Sequence, residues 1–378
     1  METPRTLTHS PPKILIIKLS ALGDIAHALP VVDYIKHHLP DAEVDWVVEE
    51  RFRELLATSS MIRKIYAVDT RKLRRRLLSQ EAGRFIQTLR RDMKSRRYDV
   101  ALDLQGNIKS AIFTMLSSAP YRYGFSSGEV REFPNIFATN RKVSTSSVRN
   151  IRSKLLTIAA KFLKDSGMTT TTIETHLSKP LRYMIDANEQ ERQKQFLMAQ
   201  GWQGEHIIGM VPGTTWQTKM WHPGRWLEFI ELVQAKNLGR ILIFWGNAEE
   251  QKFSRDLVSL HLARVPRTKA NHLPTVWNGG DIRALIAALS LVKVVVGPDT
   301  GPVHIAALIG TPTVSFYRAT EATRNAPAGE FHFACQSPLP CSPCFKKTCP
   351  DNNTCSASIK AGDVVNGLEK LLAMTREQ

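Results

Sequence analysis

The feature that most constrains the fold is a buried strand that passes through a glycine-containing turn into a helix. Lys13–Lys18 holds four consecutive apolar residues, which indicates a strand covered on both faces. A turn of small residues that contains Gly23 follows, and apolar residues at helical spacing then continue to His38. This order is typical of the first unit of a doubly wound α/β fold, in which ligands bind where the strands end.

The same order recurs along the chain. In the first half, the sequence predicts strands at Glu43–Val48, near Ile65–Val68 and at Tyr98–Asp103, and helices at about Glu81–Arg96, from Lys109 onward and at Arg152–Lys164. In the second half, it predicts strands at Ile207–Val211, Ile241–Trp245, Val292–Val296 and Thr313–Tyr317, and helices at Pro223–Ala235, Asp281–Leu289, Val303–Ile309 and Val364–Met374. Residues 121–150 are less regular. The alternation predicts an α/β protein with two Rossmann-like domains that face each other across a cleft.

The two predicted domains meet near residue 185. Residues 1–12 are polar and end in two prolines, which predicts a disordered leader before a first domain at 13–185 and a second at 186–378. The terminal helix could pack back on the first domain. No run reaches the roughly 20 apolar residues that a membrane-spanning helix needs. Because a signal-peptide core is also absent, we expect a cytoplasmic protein.

Positive charge is concentrated in the first half. The 378 residues include 51 Lys and Arg against 35 Asp and Glu, a formal net charge of +16. Residues 1–185 carry 31 basic against 18 acidic residues, and residues 186–378 carry 20 against 17. This asymmetry predicts different ligands for the two halves, with nucleic acid, a phosphorylated substrate or an anionic membrane binding the first. The alternative is a basic surface that serves solubility alone.

Missing motifs exclude several nucleotide-binding classes. No GxGxxG follows a predicted strand, which argues against a nicotinamide or flavin oxidoreductase, and no GxxxxGK[ST] of a P-loop NTPase is present. The chain also has no Asp-x-Asp pair, so the usual metal clamp for a nucleotide diphosphate has no obvious ligands.

Polar loops follow three predicted strands of the second half. Gly297–His304 precedes a helix, whose free N–H groups and partial positive charge suit a phosphate. Pro212–Lys219 offers two threonine hydroxyls and one ammonium, and Trp245–Glu250 offers carboxylates for ribose hydroxyls. Together the loops predict a nucleotide site. Taken singly, Asp299 could only cap its helix, Lys219 could be solvated, and the glutamates could be ordinary first-turn residues.

In the first half, Asp24 places a carboxylate at the first strand–helix turn. It could act as a general base on an attacking hydroxyl, or simply cap the helix. A basic segment follows the third strand and contains Arg71, Lys72, Arg74, Arg75 and Arg76.

All five cysteines lie between positions 335 and 355, namely Cys335, Cys341, Cys344, Cys349 and Cys355. Their spacing differs from the paired CxxC of a zinc ribbon, although it has some likeness to a thiolate site. We therefore favour free thiols in a surface loop over a structural metal.

Five motifs together resemble one family over about residues 13–378. They are Lys18–Asp24, Asp45–Glu50, Asp103–Gly106, Thr214–Thr215 with Lys219–Trp221, and Asp299–His304. The chain resembles the ADP-heptose-dependent lipopolysaccharide heptosyltransferases, which are inverting glycosyltransferases of the GT-B fold. The Asp45–Glu50 stretch is most like heptosyltransferase I, which acts on the first Kdo of the inner core. The Pro340–Phe345 loop looks more like other branches of the family, heptosyltransferase II among them.

The resemblance implies a role for each matching residue. Asp24 would be the general base, and Lys219 would bind and stabilise the ADP leaving group. The diphosphate and sugar would be lined by Thr214, Thr215, Thr300, Gly301 and His304, and the donor would be held by Asp299 and Glu250. Acceptor phosphates and Kdo carboxylates would be bound by Arg71, Lys72 and Arg131. No metal and no cofactor would be needed, since a lysine and a helix N-terminus can replace the metal.

The partners implied are ADP-heptose, a Kdo-lipid A or inner-core acceptor, and the anionic inner face of the inner membrane, with the protein acting as a peripheral monomer. Alternatives are heptosyltransferase II, another GT-B transferase such as one that uses a UDP-sugar, and a non-catalytic sugar-nucleotide binder. A nucleic-acid-binding protein is a remote alternative, because the basic run 71–97 contains one aromatic residue, Phe85, and no recognised module.

Overall fold

The apolar run near the start of the chain forms a central strand of a parallel sheet. In the computed structural model, β1 (Lys13–Ile17) pairs with β2 (Glu43–Glu49) on one side and with β4 (Val100–Asp103) on the other. Residues Ile14 to Ile17 are fully buried. Such burial is expected of a strand in a sheet that is covered on both faces.

The structure describes residues 11–57, 59–75, 79–177, 181, 183–202, 206–264 and 273–375. Nearly all of the predicted leader, together with Arg76 of the basic segment, lies outside these ranges. The chain divides into two compact units, of which the first ends at Met184 and the second begins at Ile185. Within the described ranges, no helix combines the length and the apolar character needed to cross a membrane.

The first unit contains a six-stranded parallel sheet in the order β3-β2-β1-β4-β5-β6. Its further strands are β3 (Ile62–Val68), β5 (Tyr121–Phe125) and β6 (Arg141–Val143). Its helices are α1 (Leu22–His38), α2 (Arg53–Ala57), α3 (Thr70–Arg75), α4 (Gln80–Arg96), α5 (Ile108–Leu116), α6 (Ile151–Asp165) and α7 (Ile173–Leu177). Short 3₁₀ segments lie at Glu50–Phe52 and Phe133–Phe137.

The second unit repeats the architecture, with the strand order β12-β11-β10-β7-β8-β9. Its strands are β7 (Ile207–Met210), β8 (Arg240–Ile243), β9 (Thr275–Val276), β10 (Val294–Pro298), β11 (Thr313–Tyr317) and β12 (His332–Gln336). Its helices are α8 (Ala187–Ala199), α9 (Pro223–Ala235), α10 (Ala248–Leu262), α11 (Ile282–Leu289), α12 (Gly301–Leu308), α13 (Ala322–Asn325), α14 (Asn352–Ser356) and α15 (Ala361–Met374), and a 3₁₀ turn spans Gln217–Lys219.

These two parallel sheets with flanking helices confirm the predicted α/β class and the pair of Rossmann-like folds. The region 121–150 is more regular than expected, because it contains β5 and β6. Both strands are short and mix charged with apolar residues, so neither has the continuous apolar run of a buried strand. Helix α8 also escaped prediction, since Gln193 and Leu197 are its only buried residues.

An aromatic cluster forms the core of the second unit between the sheet and α9. The indole rings of Trp221 and Trp226 meet edge to face, with their centroids 4.9 Å apart, and Phe316 of β11 lies 4.8 Å from Trp221. All three side chains are at most 1 % exposed. The terminal helix α15 contributes Val364 and Leu368 to the same core, where it packs against α9 and the edge of the second sheet.

Trp226→Ala should lower the free energy of unfolding by about 3–5 kcal/mol, because it leaves a cavity in this cluster. The indole N–H of Trp226 finds no acceptor within the described ranges. Trp226→Phe keeps an aromatic ring and removes that N–H, so we expect it to cost at most about half as much. Urea unfolding followed by circular dichroism measures both, and equal losses for the two variants would contradict the packing described here.

Candidate functional site

Three adjacent strands of the second sheet end in the polar loops that the sequence singled out. Strand β7 lies between β10 and β8, and all three run parallel. Their carboxyl ends therefore lie side by side at one edge of the sheet. The segments that follow them therefore lie at this edge, namely Pro212–Lys219, Trp245–Glu250 and the short turn of Asp299 and Thr300.

The carboxylate of Asp299, directly after β10, connects the loop after β7 with α12 and with the segment after β11. Its Oδ1 accepts a hydrogen bond from His304 Nε2 at 2.8 Å. Its Oδ2 accepts hydrogen bonds from three donors, which are Lys219 Nζ at 2.7 Å, Thr320 Oγ1 at 2.7 Å and Asn325 Nδ2 at 2.9 Å. Asp299 is 5 % exposed. We call these five residues the Asp299 cluster.

The cluster keeps Asp299 ionised. Burial by itself would raise the pKa of the carboxyl, but the hydrogen bond and charge of His304 and the ammonium of Lys219 outweigh it. They hold the pKa of Asp299 well below its ordinary value of 3.8. The ammonium is fixed in turn, since Lys219 Nζ also donates to the backbone carbonyl of Asp299 at 3.3 Å. It lies 4.9 Å from the ring centre of Trp216. The result is a positioned cation at the sheet edge.

Helix α12 begins immediately after the cluster. Its N-cap is Thr300, whose hydroxyl makes no capping hydrogen bond, and Pro302 occupies its first turn. The alternative that Asp299 serves only as an N-cap is therefore wrong, because its carboxylate is engaged with the cluster. The first turn from Gly301 offers backbone N–H groups, and the helix dipole favours an anion there.

The loops after β7 and β8 touch each other. A Cβ atom at Gly213 would lie 2.4 Å from Cδ of Glu250, so any larger residue at this position would require the Glu250 side chain to move. Glu250 is half-buried, and its Oε2 accepts the N–H of Gly246 at 2.7 Å. Next to Gly213, Thr214 is half-buried and Thr215 is exposed. Glu250 and the two threonines thus belong to the same group of loops as Lys219.

In the first unit, Asp24 lies in the first turn of α1 and is half-buried. Its Oδ2 accepts the backbone N–H of Ala21 at 3.0 Å. Across the described ranges, Oδ1 has no hydrogen-bond partner. Asp24 thus uses one carboxylate oxygen at the start of the helix and leaves the other without a hydrogen bond in the same ranges. This geometry is compatible with both roles predicted from the sequence, a helix cap and a general base.

The turn that carries Asp24 is fixed from the next strand by Gln105. The amide oxygen of Gln105 accepts the backbone N–H groups of Leu19 and Ser20 at 3.2 and 3.3 Å. Gln105 is itself held by Asp103, a fully buried carboxylate that accepts the N–H groups of Gln105 and Gly106. This network links the Asp103–Gly106 motif to the turn that carries Asp24.

The predicted acceptor residues fall into two places in the first unit. Arg71 and Lys72 are exposed on α3, where they line a pocket with Asp69 and Arg75. Arg131 is exposed at the loop after β5 and is not among the residues that line this pocket. The backbone N–H of its neighbour Glu132 donates to the carbonyl of Gly106 at 3.0 Å, which fixes the loop on the β4 turn.

The cysteine loop carries free thiols. Burial raises the pKa of Cys335 to about 12, so that thiol stays protonated. In the part of the chain that the structure describes, no group of three or more His, Cys, Asp or Glu residues is placed to hold a metal ion. The loop packs beside the cluster, since Thr218 donates through its hydroxyl to the carbonyl of Lys346.

Sequence reasoning missed Thr320 and Asn325, which supply half of the hydrogen bonds to Asp299. Both are buried and follow β11, the neighbour of β10 in the sheet. Their position after a predicted strand could have indicated them, because polar residues that directly follow a buried parallel strand lie at the same sheet edge as the predicted site. Gln105 was quoted as part of a motif, but its contact with the Asp24 turn depends on the tertiary fold.

Comparison with known proteins places the chain among characterised relatives. Residues 86–354 match the family model described as glycosyltransferase family 9 (heptosyltransferase). The chain is 27 % identical over 340 residues to lipopolysaccharide heptosyltransferase 1 of Pseudomonas aeruginosa, which covers 89 % of this chain and 87 % of that protein. It is 27 % identical over 323 residues to the protein of the same name from Campylobacter coli, at 83 % and 86 % coverage. The solved structure of E. coli heptosyltransferase WaaC with ADP matches with a TM-score of 0.73 and 22 % identity, covering 95 % of this chain and 99 % of that one.

Asp299→Asn should lower the free energy of unfolding at neutral pH by about 3–5 kcal/mol, because it removes the charge of a buried carboxylate to which Lys219 and His304 donate. The pKa of Asp299 is lowered in the folded state, so its stabilisation is complete above the ordinary carboxyl pKa. It is lost as the pH falls through the lowered value. The difference in free energy of unfolding between Asp299→Asn and the unsubstituted protein should therefore become smaller below about pH 4, as measured by urea unfolding.

Asp256→Asn is the matched control, because Asp256 forms an exposed ion pair with Lys252 and should change stability by no more than about 0.5 kcal/mol. Stability curves of Asp299→Asn and the unsubstituted protein that stay parallel through the acid range would contradict the role given to this carboxylate.

Proposed function

Because this chain belongs to glycosyltransferase family 9, we propose that it transfers heptose from ADP-heptose to the inner core of lipopolysaccharide, in the manner of a heptosyltransferase I. The observation that carries the proposal is the Asp299 cluster, which holds the Lys219 ammonium beside the N-terminus of α12. A fixed cation next to free N–H groups is suited to a diphosphate leaving group. Two relatives that bear the name lipopolysaccharide heptosyltransferase 1 support the acceptor.

The fold is the GT-B fold predicted from the sequence, as its match to a solved heptosyltransferase shows. In our proposal the second unit, residues 186–378, binds the nucleotide sugar, and the first, residues 13–185, binds the acceptor. The distribution of charge supports this division. The first half carries nearly all of the excess basic residues, and an inner-core acceptor is rich in phosphate and carboxylate.

On the donor side, Lys219 neutralises the charge that develops on ADP as the sugar leaves. Asp299 acts through Lys219 and His304 as a positioning residue, so the ammonium needs no reorganisation during the reaction. The hydroxyls of Thr214, Thr215 and Thr300 and the N–H of Gly301 bind phosphate oxygens, and Glu250 accepts from the ribose hydroxyls. This arrangement supplies the electrostatic stabilisation that a divalent cation provides in other transferases, so we propose transfer without a metal.

On the acceptor side, Asp24 serves as the general base. Its carboxylate takes the proton from the acceptor hydroxyl while that oxygen bonds to the anomeric carbon of heptose. The bond from this carbon to the diphosphate oxygen breaks on the opposite face, and the electron pair leaves with ADP. One such displacement inverts the anomeric configuration and requires no nucleophile from the protein.

Acceptor recognition falls to the basic residues of the first unit. Arg71 and Lys72, which line one pocket on α3, bind phosphates, and Arg131 binds a Kdo carboxylate. Since this acceptor is a lipid, we further propose that the protein works as a monomer attached peripherally to the cytoplasmic face of the inner membrane.

Asp24→Asn should reduce turnover of ADP-heptose with Kdo-lipid A by about 10²–10⁴-fold, since it removes the base. ADP binding should be unchanged, because Asp24 contacts only the acceptor. Release of ADP measures turnover in the presence of a chelator, and a UDP-sugar should yield no UDP.

The control is Asp41→Asn, which alters an exposed carboxylate near the end of the same helix and should leave turnover unchanged. Full turnover by Asp24→Asn would overturn the assignment of the base. Turnover that requires a divalent cation would overturn metal-free transfer, and UDP release would overturn the donor.

A further inference from the structure

Helix α5 buries one face and exposes an opposite face that is apolar. Its inner face is buried through Ser110, Phe113 and Thr114. The opposite face exposes Ile108 by 48 %, Ile112 by 52 % and Met115 by 63 %, at a spacing of four and three residues. A surface helix normally presents polar residues to water, so an apolar outer stripe indicates contact with another apolar phase.

A neighbouring segment extends the stripe. The 3₁₀ turn Phe133–Phe137 packs against α5 and exposes Phe133 by 60 % and Phe137 by 75 %, with their rings 6.2 Å apart. We call Ile108, Ile112, Met115, Phe133 and Phe137 the α5 patch. Among the described residues, the large apolar side chains that are exposed elsewhere occur singly or as one pair along the chain, as is usual for protein surfaces; they are Phe85, Met184, Met198, Leu260 with Leu262, and Phe345.

The patch is held rigidly from below. Asn135, midway between the two phenylalanines, is fully buried and donates to the carboxylate of Asp103 at 2.6 Å. The carboxylate of Glu132 accepts the N–H of Ile108 at 2.8 Å, which ties the start of the turn to the start of α5. The exposed rings therefore project from a fixed backbone, and little conformational entropy is lost when they are covered.

Basic residues predominate beside the patch, although Asp69, Glu81 and Glu132 are also exposed there. Lys109 follows Ile108, and Arg131 precedes Phe133 by two residues. Lys109 Nζ lies 3.2 Å from Thr70 Oγ1, so the patch borders α3, whose exposed residues Arg71, Lys72, Arg74 and Arg75 are all basic. Helix α4, which also packs on α5, exposes Arg84, Arg91 and Lys94.

We infer that the α5 patch inserts into the headgroup region of an anionic bilayer, with α3 lying on the membrane surface. Apolar side chains with a basic rim are the features by which peripheral proteins bind such a surface. A second copy of the chain fits less well, because a symmetric contact would place two basic rims together. The inference rests on the proposed function in one respect, since a lipid acceptor is the reason for the protein to bind a membrane. The proposed orientation places the basic pocket of α3 beside the headgroups.

Flotation of the full chain with vesicles tests the inference. On vesicles of equal parts phosphatidylcholine and phosphatidylglycerol, the double variant Phe133→Ser/Phe137→Ser should bind about tenfold more weakly than the unsubstituted protein. A second variant, Ile112→Gln/Met115→Gln, should show a similar loss from the helical part of the patch. The unsubstituted protein should bind vesicles of phosphatidylcholine alone more weakly than the mixed vesicles. Added salt should reduce this difference between the two kinds of vesicle.

The matched control is Leu260→Ser/Leu262→Ser, which removes two side chains of similar exposure from α10 and should leave vesicle binding unchanged. Unaltered binding by both patch variants would overturn the inference. So would light scattering that finds a dimer of the unsubstituted protein and a monomer of Phe133→Ser/Phe137→Ser, because a second copy would then cover the patch. Turnover with an acceptor stripped of its acyl chains should be the same in all variants. If the unsubstituted protein turns over no acceptor, the proposed function fails, while the vesicle result still decides the membrane contact.

Discussion

The arrangement of the strand-end loops in the second unit depends on the hydrogen bonds that the ionised carboxylate of Asp299 accepts. A buried carboxylate is tolerated only when it is fully hydrogen-bonded, and this one takes its donors from the loop after β7, from α12 and from the segment after β11. These segments are far apart in the chain. The requirement to satisfy one charge therefore brings the strand-end loops into a single arrangement, and that arrangement fixes a lysine ammonium at the sheet edge.

In the first unit, Asp103 positions the turns that follow two neighbouring strands. This fully buried carboxylate holds the turn after β4, and through Gln105 it fixes the turn that carries Asp24. The same carboxylate accepts from Asn135 and thereby anchors the loop of the α5 patch. One buried side chain thus positions both the proposed base and the proposed membrane contact.

Much of this arrangement could be predicted from the sequence, because the strands at the centre of each sheet are continuous apolar runs. The strand, turn and helix around Asp299 illustrate this, since apolar periodicity and a glycine turn place them without tertiary information. The partners Thr320 and Asn325 could not be predicted in the same way. Their role depends on β11 lying next to β10, and strand order is not encoded in local pattern. The α5 patch escaped for a different reason, since an apolar helix gives no sequence signal of which face is covered.

Binding of ADP tests the central claim most directly, namely that the Asp299 cluster presents Lys219 to the diphosphate. Calorimetric titration in the presence of a chelator should show that the unsubstituted protein binds ADP more tightly than UDP. Lys219→Met should bind ADP at least about tenfold more weakly, since it loses a charge-assisted hydrogen bond to phosphate. Equal affinity of the two proteins for ADP, or binding of ADP only when a divalent cation is added, would contradict the account.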